Sequence, residues 1–150
     1  MTYIASDHAG FSLKTQLIEF MKKSELEIED LGPFMFEYSD DYVDYAIKVC
    51  EKVQKNSNDL GILICASGEG MMITANKFRN IYAAFCQTGK QAVLSKEHNN
   101  SNVLVLSNEQ DAELVFKTII LPWLKTEFSN IQRHVRRIEK IKKLEDKFYK

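Results

Sequence analysis

Five short apolar segments, separated by longer amphipathic ones, constrain the fold of this chain more than any other feature. The five segments are "YIAS", "LEIEDLG", "LGILIC", "IYAAFC" and "NVLVLS". The third, at residues 60–65, is apolar throughout, which is typical of a strand that is buried on both faces of a parallel sheet. We therefore predict five strands.

Between these strands, apolar residues recur at helical spacing. We predict helices over residues 11–23, 42–55, 71–78, 91–96 and 112–125. A final amphipathic helix would carry Val135, Ile138, Ile141, Leu144 and Phe148 on one face. Strands that alternate with helices imply right-handed βαβ units. The prediction is a single α/β domain over residues 1–150, doubly wound, with a five-stranded parallel sheet, helices on both faces and an extended C-terminal helix.

The composition limits the classes of protein to consider. Hydrophobic residues make up 45% of the chain and charged residues 27%, which is typical of a soluble domain. No apolar run approaches the roughly 20 residues of a membrane span. The N-terminus, "MTYIASDHAG", lacks the pattern of a signal peptide. We expect a cytoplasmic protein with no membrane partner.

The three cysteines, Cys50, Cys65 and Cys86, lack the paired C-x-x-C spacing of zinc or redox sites. They are also odd in number, so we predict free thiols in a reducing compartment and no metal site.

Basic residues are concentrated at the C-terminal end of a chain whose net charge is −1. Residues 133–150 contain eight Lys or Arg against three Asp or Glu. A solvated helix face explains this pattern, and no recognised motif indicates a nucleic-acid partner. The alternative is that Arg133, His134, Arg136 and Arg137 clamp an anion.

Polar segments follow three of the predicted strands. In doubly wound folds, ligands bind outside the carboxyl ends of the strands. "SDHAG", "CASGEG" and "CQTGK" fall at that edge. The segment "HNNSN", with His98 and Asn99, precedes the fifth strand. It lies close to the other three segments only if the helix before it returns near them. A plain turn also explains it.

Cys65 stands where the buried third strand gives way to a glycine-containing loop and a helix start. Backbone N–H groups approach a ligand closely at glycines, and a helix N-terminus adds partial positive charge. We expect this loop to stabilise an anion, and the pKa of the Cys65 thiol to be lowered so that it accepts a proton. A buried structural cysteine is the alternative.

Asp7 and His8 directly follow the first strand. A carboxylate next to an imidazole at a ligand-facing edge can orient hydroxyls or move protons. A polar loop or a helix cap explains Asp7 equally well.

Taken in order, these clusters resemble the ribose-5-phosphate isomerase B family, which includes the galactose-6-phosphate isomerase subunits. The similar stretches are "IASDHAGFSLK", "DLG", "DYVDYA", "GILICASGEGMMITANK", "HNNSNVLVL" and "RHVRRIEKI". The resemblance implies a Rossmann-like fold. It also implies a cofactor-free aldose–ketose isomerase of the pentose phosphate pathway, which interconverts ribose 5-phosphate and ribulose 5-phosphate through a cis-enediol. A second branch of the family uses a Glu where this chain has Met71, so the resemblance is to the branch with a cysteine base.

The same resemblance assigns roles to individual residues. Cys65 would be the base that moves a proton between C2 and C1 of the sugar. Ser67 would support the enediolate, and His98 would assist opening of the sugar ring. The backbone around the enediolate would come from Ala66, Gly68, Glu69 and Gly70. Substrate hydroxyls would be held by Asp7, His8 and Asn99, Tyr42 would line the pocket, and Arg133 and Arg137 would bind the phosphate. Family members are dimers or dimers of dimers whose sites are shared between chains, so the resemblance implies a homodimer or a dimer of dimers.

Several residues depart from the family pattern, mostly around the substrate. They are Val43, Ala66, Glu69, Tyr82, Glu109, Ile131 and Gln132. Two alternatives therefore remain, an isomerase of allose or galactose 6-phosphate and a non-catalytic subunit that binds a sugar phosphate.

Overall fold

The strands of this protein form one parallel sheet in the order β2-β1-β3-β5-β4. The structure, a computed structural model, describes residues 1–148. The strands are β1 (Thr2–Ser6), β2 (Ile28–Asp30), β3 (Leu60–Cys65), β4 (Ala83–Phe85) and β5 (Val103–Ser107). Every pairing between neighbouring strands is parallel. The predicted doubly wound α/β fold with five parallel strands is therefore confirmed.

Helices connect the strands and cover both faces of the sheet. They are α1 (Phe11–Lys23), α2 (Tyr42–Val53), α3 (Glu69–Ala75), α4 (Gly89–Asn99), α5 (Ala112–Val115), α6 (Leu121–Lys125) and α7 (Gln132–Phe148). From β1 to β2 and from β4 to β5 the chain moves across the sheet in one direction, and from β2 through β3 to β4 it moves in the other. Since such connections are right-handed, α1 and α4 lie on one face and α2 and α3 on the opposite face.

The core consists of two apolar clusters, one on each face of the sheet. Ile62 and Ile64 of β3 belong to the cluster beneath α1, whereas Leu63 and Cys65 belong to the cluster beneath α2 and α3. This division follows from the alternation of side chains along a strand. It places the thiol of Cys65 on the face that α3 covers, where the buried Met71 also packs.

The segment predicted as one helix over residues 112–125 is interrupted by a π-helical turn, Phe116–Ile120, between α5 and α6. Pro122 has no N–H group, so it cannot donate to the carbonyl of Thr118 four residues earlier. A Cβ atom on Gly89 would lie only 2.1 Å from that carbonyl oxygen. A glycine at the start of α4 therefore allows the π-helical turn to pack closely.

Helix α4 is longer than its predicted range of 91–96. The Thr88 side chain accepts a hydrogen bond from the Gln91 backbone, and the Gln91 side chain accepts one from the Thr88 backbone. This reciprocal capping box fixes the start of the helix. Its sequence signature, Thr-x-x-Gln, was present in "TGKQ".

Helix α7 has the predicted amphipathic pattern, but only part of its apolar face is covered within one chain. Ile138 is buried, whereas Leu144 is 55% exposed and Phe148 is 68% exposed. A groove of about 550 Å³ separates these residues from β4. Within residues 1–148, no helix is both long enough and apolar enough to cross a membrane.

Candidate active site

The carboxyl ends of β1 and β3 form the switch point of the sheet, because the chain leaves these neighbouring strands in opposite directions, and folds of this type have their ligand-binding crevice at such a point. The register pairs Ser6 with Ile64, so Asp7 and Cys65 follow at adjacent positions. The Asp7 N–H donates to the Ile64 carbonyl at 3.2 Å. The carboxylate and the thiol are therefore at the place where ligands bind in folds of this type.

Cys65 is 5% exposed at this crevice. Its Sγ accepts a hydrogen bond from the Gly68 N–H at 3.2 Å. Burial raises the pKa of the Cys65 thiol, and backbone N–H groups of Met71, Gly68 and Ser67 partly oppose this shift. The expectation of a lowered pKa is therefore wrong for the single chain, because desolvation outweighs the backbone dipoles.

The loop after Cys65 depends on two glycines. Gly68 has a φ of +83°, and a Cβ atom there would lie 2.5 Å from the ring of Phe85. At Gly70, a Cβ atom would lie 2.6 Å from the ring of Tyr42. The glycines thus let the rings of Phe85 and Tyr42 pack directly against the loop.

Three other residues of this loop, Ala66, Ser67 and Glu69, are exposed. The Ser67 hydroxyl oxygen accepts a hydrogen bond from the Glu69 N–H at 3.4 Å. Their side chains are therefore accessible to a ligand in the crevice.

Asp7 has two roles in the structure. Its Oδ1 accepts a hydrogen bond from the Gly10 N–H at 3.0 Å, within the turn that precedes α1. Burial raises the pKa of Asp7, and its negative charge is one of the influences that raise the pKa of Cys65. Helix α1 has no side-chain cap, so Asp7 supports the loop before the helix rather than the helix itself, and the same carboxylate is close to the thiol.

His8 is held by a residue that the sequence did not single out. Its Nδ1 lies 2.6 Å from Oδ1 of Asp40, and its backbone N–H donates to the same oxygen at 3.0 Å. The imidazole also packs against Tyr38, with ring centroids 5.3 Å apart. Asp40 lies in the irregular segment before α2, where neither periodicity nor motif spacing indicates a partner.

The remaining predicted residues form a second cluster around the C-terminus of α4 and the N-terminus of α7. His98 packs against His134, with ring centroids 4.3 Å apart. His134 is buried, its Nδ1 lies 2.7 Å from the hydroxyl of Ser129, and its Nε2 accepts from Nε of Arg133 at 3.2 Å.

Burial lowers the pKa of His134, and the charges of His98, Arg133 and Arg137 lower it further. The cluster therefore places two arginines around a buried imidazole whose Nε2 accepts a hydrogen bond. Asn99 is the last residue of α4 and belongs to the same region.

The two clusters lie at opposite edges of the sheet within one chain. Helix α4 ends just before β5 begins, and the Asn102 carbonyl there accepts from the N–H of Gly61 at the amino end of β3. Cys65 lies four positions after Gly61, so at about 3.3 Å per residue β3 spans roughly 13 Å between them. His98 therefore does not join the Cys65 loop of its own chain.

No group of three or more His, Cys, Asp and Glu side chains within the described part of the chain is arranged to hold a metal ion.

Comparison with known proteins gives consistent results. The model of the family described as Ribose/Galactose Isomerase matches residues 2–141. The probable ribose-5-phosphate isomerase B of Mycoplasma genitalium is 44% identical over 93% of this chain and 91% of its own length. The ribose-5-phosphate isomerase B of Escherichia coli is 36% identical over 94% and 93%.

Among solved structures, the ribose-5-phosphate isomerase B of Mycoplasma genitalium with bound ribulose-5-phosphate superimposes with a TM-score of 0.91. That chain is 43% identical, and the match covers 97% of this chain and 95% of that one.

Proposed function

The chain belongs to the ribose/galactose isomerase family, and we propose that it is the isomerase that interconverts ribose 5-phosphate and ribulose 5-phosphate. The observation that supports this most strongly is Cys65, placed beside Asp7 at the crevice between β1 and β3. The fold supports the same activity. So do the named isomerases, which this chain matches over nearly their whole length. The reaction belongs to the non-oxidative pentose phosphate pathway.

The proposed chemistry is a proton transfer. The Cys65 thiolate removes the proton from C2 of the open-chain aldose, and the aldehyde oxygen O1 gains a proton, which gives a cis-enediol. Return of the proton to C1 and loss of the O2 proton then give the ketose. An enediolate carries negative charge, so N–H donors fixed near that charge stabilise it in the transition state.

The loop after Cys65 is suited to this task. Its backbone N–H groups and the exposed hydroxyl of Ser67 are fixed around the thiol by the turn at Gly68. Because burial raises the pKa of Cys65, the ionised fraction of the base increases with pH, and so should the rate.

The site is completed, in this proposal, by a second copy of the chain. Within one chain, His98 lies near the amino end of β3 whereas Cys65 lies at its carboxyl end, and Arg133 and Arg137 cluster with His98 around His134. A homodimer would bring them to the Cys65 loop of the partner, where His98 opens the sugar ring and the arginines bind the phosphate. The exposed apolar side chains of α7, including Leu144 and Phe148, favour burial in such an assembly.

The other substrate contacts are proposals of the same kind. Asp7, His8 and Asn99 hold sugar hydroxyls, and Tyr42 forms one wall of the pocket. We place the protein in the cytoplasm on the basis of its three free thiols, Cys50, Cys65 and Cys86.

The test is a metal-free conversion of ribose 5-phosphate to ribulose 5-phosphate by the purified protein. Cys65→Ala should fold normally and lose at least about 100-fold in kcat, the low end for a general base. Cys50→Ala is the matched control, since it removes a buried thiol from α2 rather than from the crevice. Near-normal turnover by folded Cys65→Ala would refute the assignment of Cys65 as the base. Preferential turnover of allose 6-phosphate would mean that the substrate is a hexose 6-phosphate.

A further inference from the structure

We propose that Asp40 is a positioning residue, which holds the imidazole of His8 in the orientation and tautomer that bind the sugar phosphate. This inference rests on the proposed function, in which His8 contacts the substrate. Asp40 itself would not touch the substrate.

The contact between the two side chains is close and specific. Oδ1 of Asp40 lies 2.6 Å from the ring nitrogen Nδ1 and 3.0 Å from the backbone nitrogen of the same histidine. The Asp40 side chain is 5% exposed, whereas that of His8 is 30% exposed. The carboxylate is therefore shielded from solvent, while the ring remains accessible from the crevice.

This geometry selects one arrangement of the ring protons. An ionised carboxylate only accepts hydrogen bonds, so Nδ1 must carry a proton when it faces Asp40. Nε2 is then the nitrogen left to contact a ligand. A partner that fixes one ring nitrogen in this way also fixes the direction in which the other points.

Two aromatic rings from the same segment restrict the imidazole further. Tyr38 lies against it at a centroid distance of 5.3 Å, and Phe36 meets it edge-on at 6.3 Å. Both Tyr38, at 80% exposure, and Phe36, at 60%, are otherwise open to solvent. The segment that supplies Asp40 therefore surrounds His8 on several sides.

The beginning of this segment is anchored to α1. The Lys14 ammonium group, on a side chain that is 1% exposed, donates to both carboxylate oxygens of Asp30 at 2.6 and 2.7 Å. It also donates to the Pro33 carbonyl at 2.8 Å. This anchoring favours a preorganised position for Asp40, which precise orientation of a binding group requires.

The experiment compares Asp40→Asn, His8→Asn and the double variant with the wild type. Asp40→Asn should lower kcat/KM for ribose 5-phosphate about tenfold, because a hydrogen bond to a charged group is lost. The loss should fall mainly on KM, since the bond orients a group that binds substrate and transition state alike. In the His8→Asn background, the Asp40 substitution should have almost no further effect.

A spectroscopic measurement separates positioning from a purely structural role. The ¹⁵N shifts of the His8 ring should show one tautomer, protonated at Nδ1, in the neutral wild-type ring and a mixture in Asp40→Asn. Glu37→Gln, which removes an exposed negative charge from the same segment, is the matched control and should change neither the shifts nor KM.

The possible results distinguish this proposal from the proposed function. Failure of the wild type to turn over any sugar phosphate would refute the proposed function. If the wild type is active, unchanged His8 shifts or additive effects in the double variant would overturn the role of Asp40. A loss of thermal stability in Asp40→Asn without a change in KM would also overturn it.

Discussion

Mixed dimers provide a quantitative test of the shared site. Cys65→Ala and His98→Asn chains should each be nearly inactive alone. In a heterodimer of the two, one site contains both substituted residues and the other contains both natural ones. A purified heterodimer should therefore have about half of the wild-type activity, and a random equal mixture about one quarter, because the two sites of a closed dimer are equivalent.

The structure gives this prediction its basis. Cys65 lies at the carboxyl end of β3 and His98 lies near its amino end, and β3 spans roughly 13 Å between Gly61 and Cys65, whereas a catalytic group must be within about 3 Å of its target. We therefore expect contacts between two chains to place both groups on one substrate.

The assay is co-expression of the two variants with different affinity tags, tandem purification, and measurement of ribulose 5-phosphate formation. The matched control pairs Cys65→Ala with Ser67→Ala, which lie on the same loop, so their heterodimer should show no gain above the average of the parents. A heterodimer of Cys65→Ala and His98→Asn that remains as inactive as its parents would refute the reasoning.

Three further predictions concern the site and its support. Gly68→Ala should lower the free energy of unfolding in urea by about 1–3 kcal/mol, because φ is positive and the added Cβ atom meets Phe85 at 2.5 Å. Lys14→Met should cost about 2 kcal/mol in the same assay, less than for a fully buried pair because Asp30 is 28% exposed. Alkylation of Cys65 by iodoacetamide should accelerate as the pH rises past 9.0, the ordinary pKa of the thiol, because burial raises that pKa and the thiolate is the reactive form.

Each of these has a clear contrary result. Unchanged unfolding of Gly68→Ala would mean that the loop relaxes without strain. Full stability of Lys14→Met would mean that its ion pair contributes nothing beyond its desolvation cost. An alkylation rate that reaches its plateau below pH 9.0 would mean that backbone dipoles outweigh burial at the thiol.

The fold and one half of the site could be predicted from the sequence because local patterns determine them. The continuous apolar run of β3 predicts a strand buried on both faces, and the rule for parallel sheets then places Cys65 at the ligand-facing edge. Asp7 is at the same edge for the same reason. These inferences require only strand order and direction.

Other features depend on long-range balances that local patterns do not contain. The pKa of Cys65 is set by burial against backbone N–H groups, and only the packed structure shows which is larger. The contact between His8 and Asp40 joins residues 32 positions apart through an irregular segment. The location of His98 at the opposite edge follows from the direction of α4, which places its last residues next to the amino end of β5.

Solvent exchange tests the central claim, proton transfer by Cys65, most directly. Ribulose 5-phosphate formed from ribose 5-phosphate in D₂O should carry deuterium at C1, which NMR measures. We expect this incorporation with the wild type and with Cys50→Ala, and neither incorporation nor turnover with folded Cys65→Ala. Deuterium entering C1 at the wild-type rate in Cys65→Ala would contradict the account.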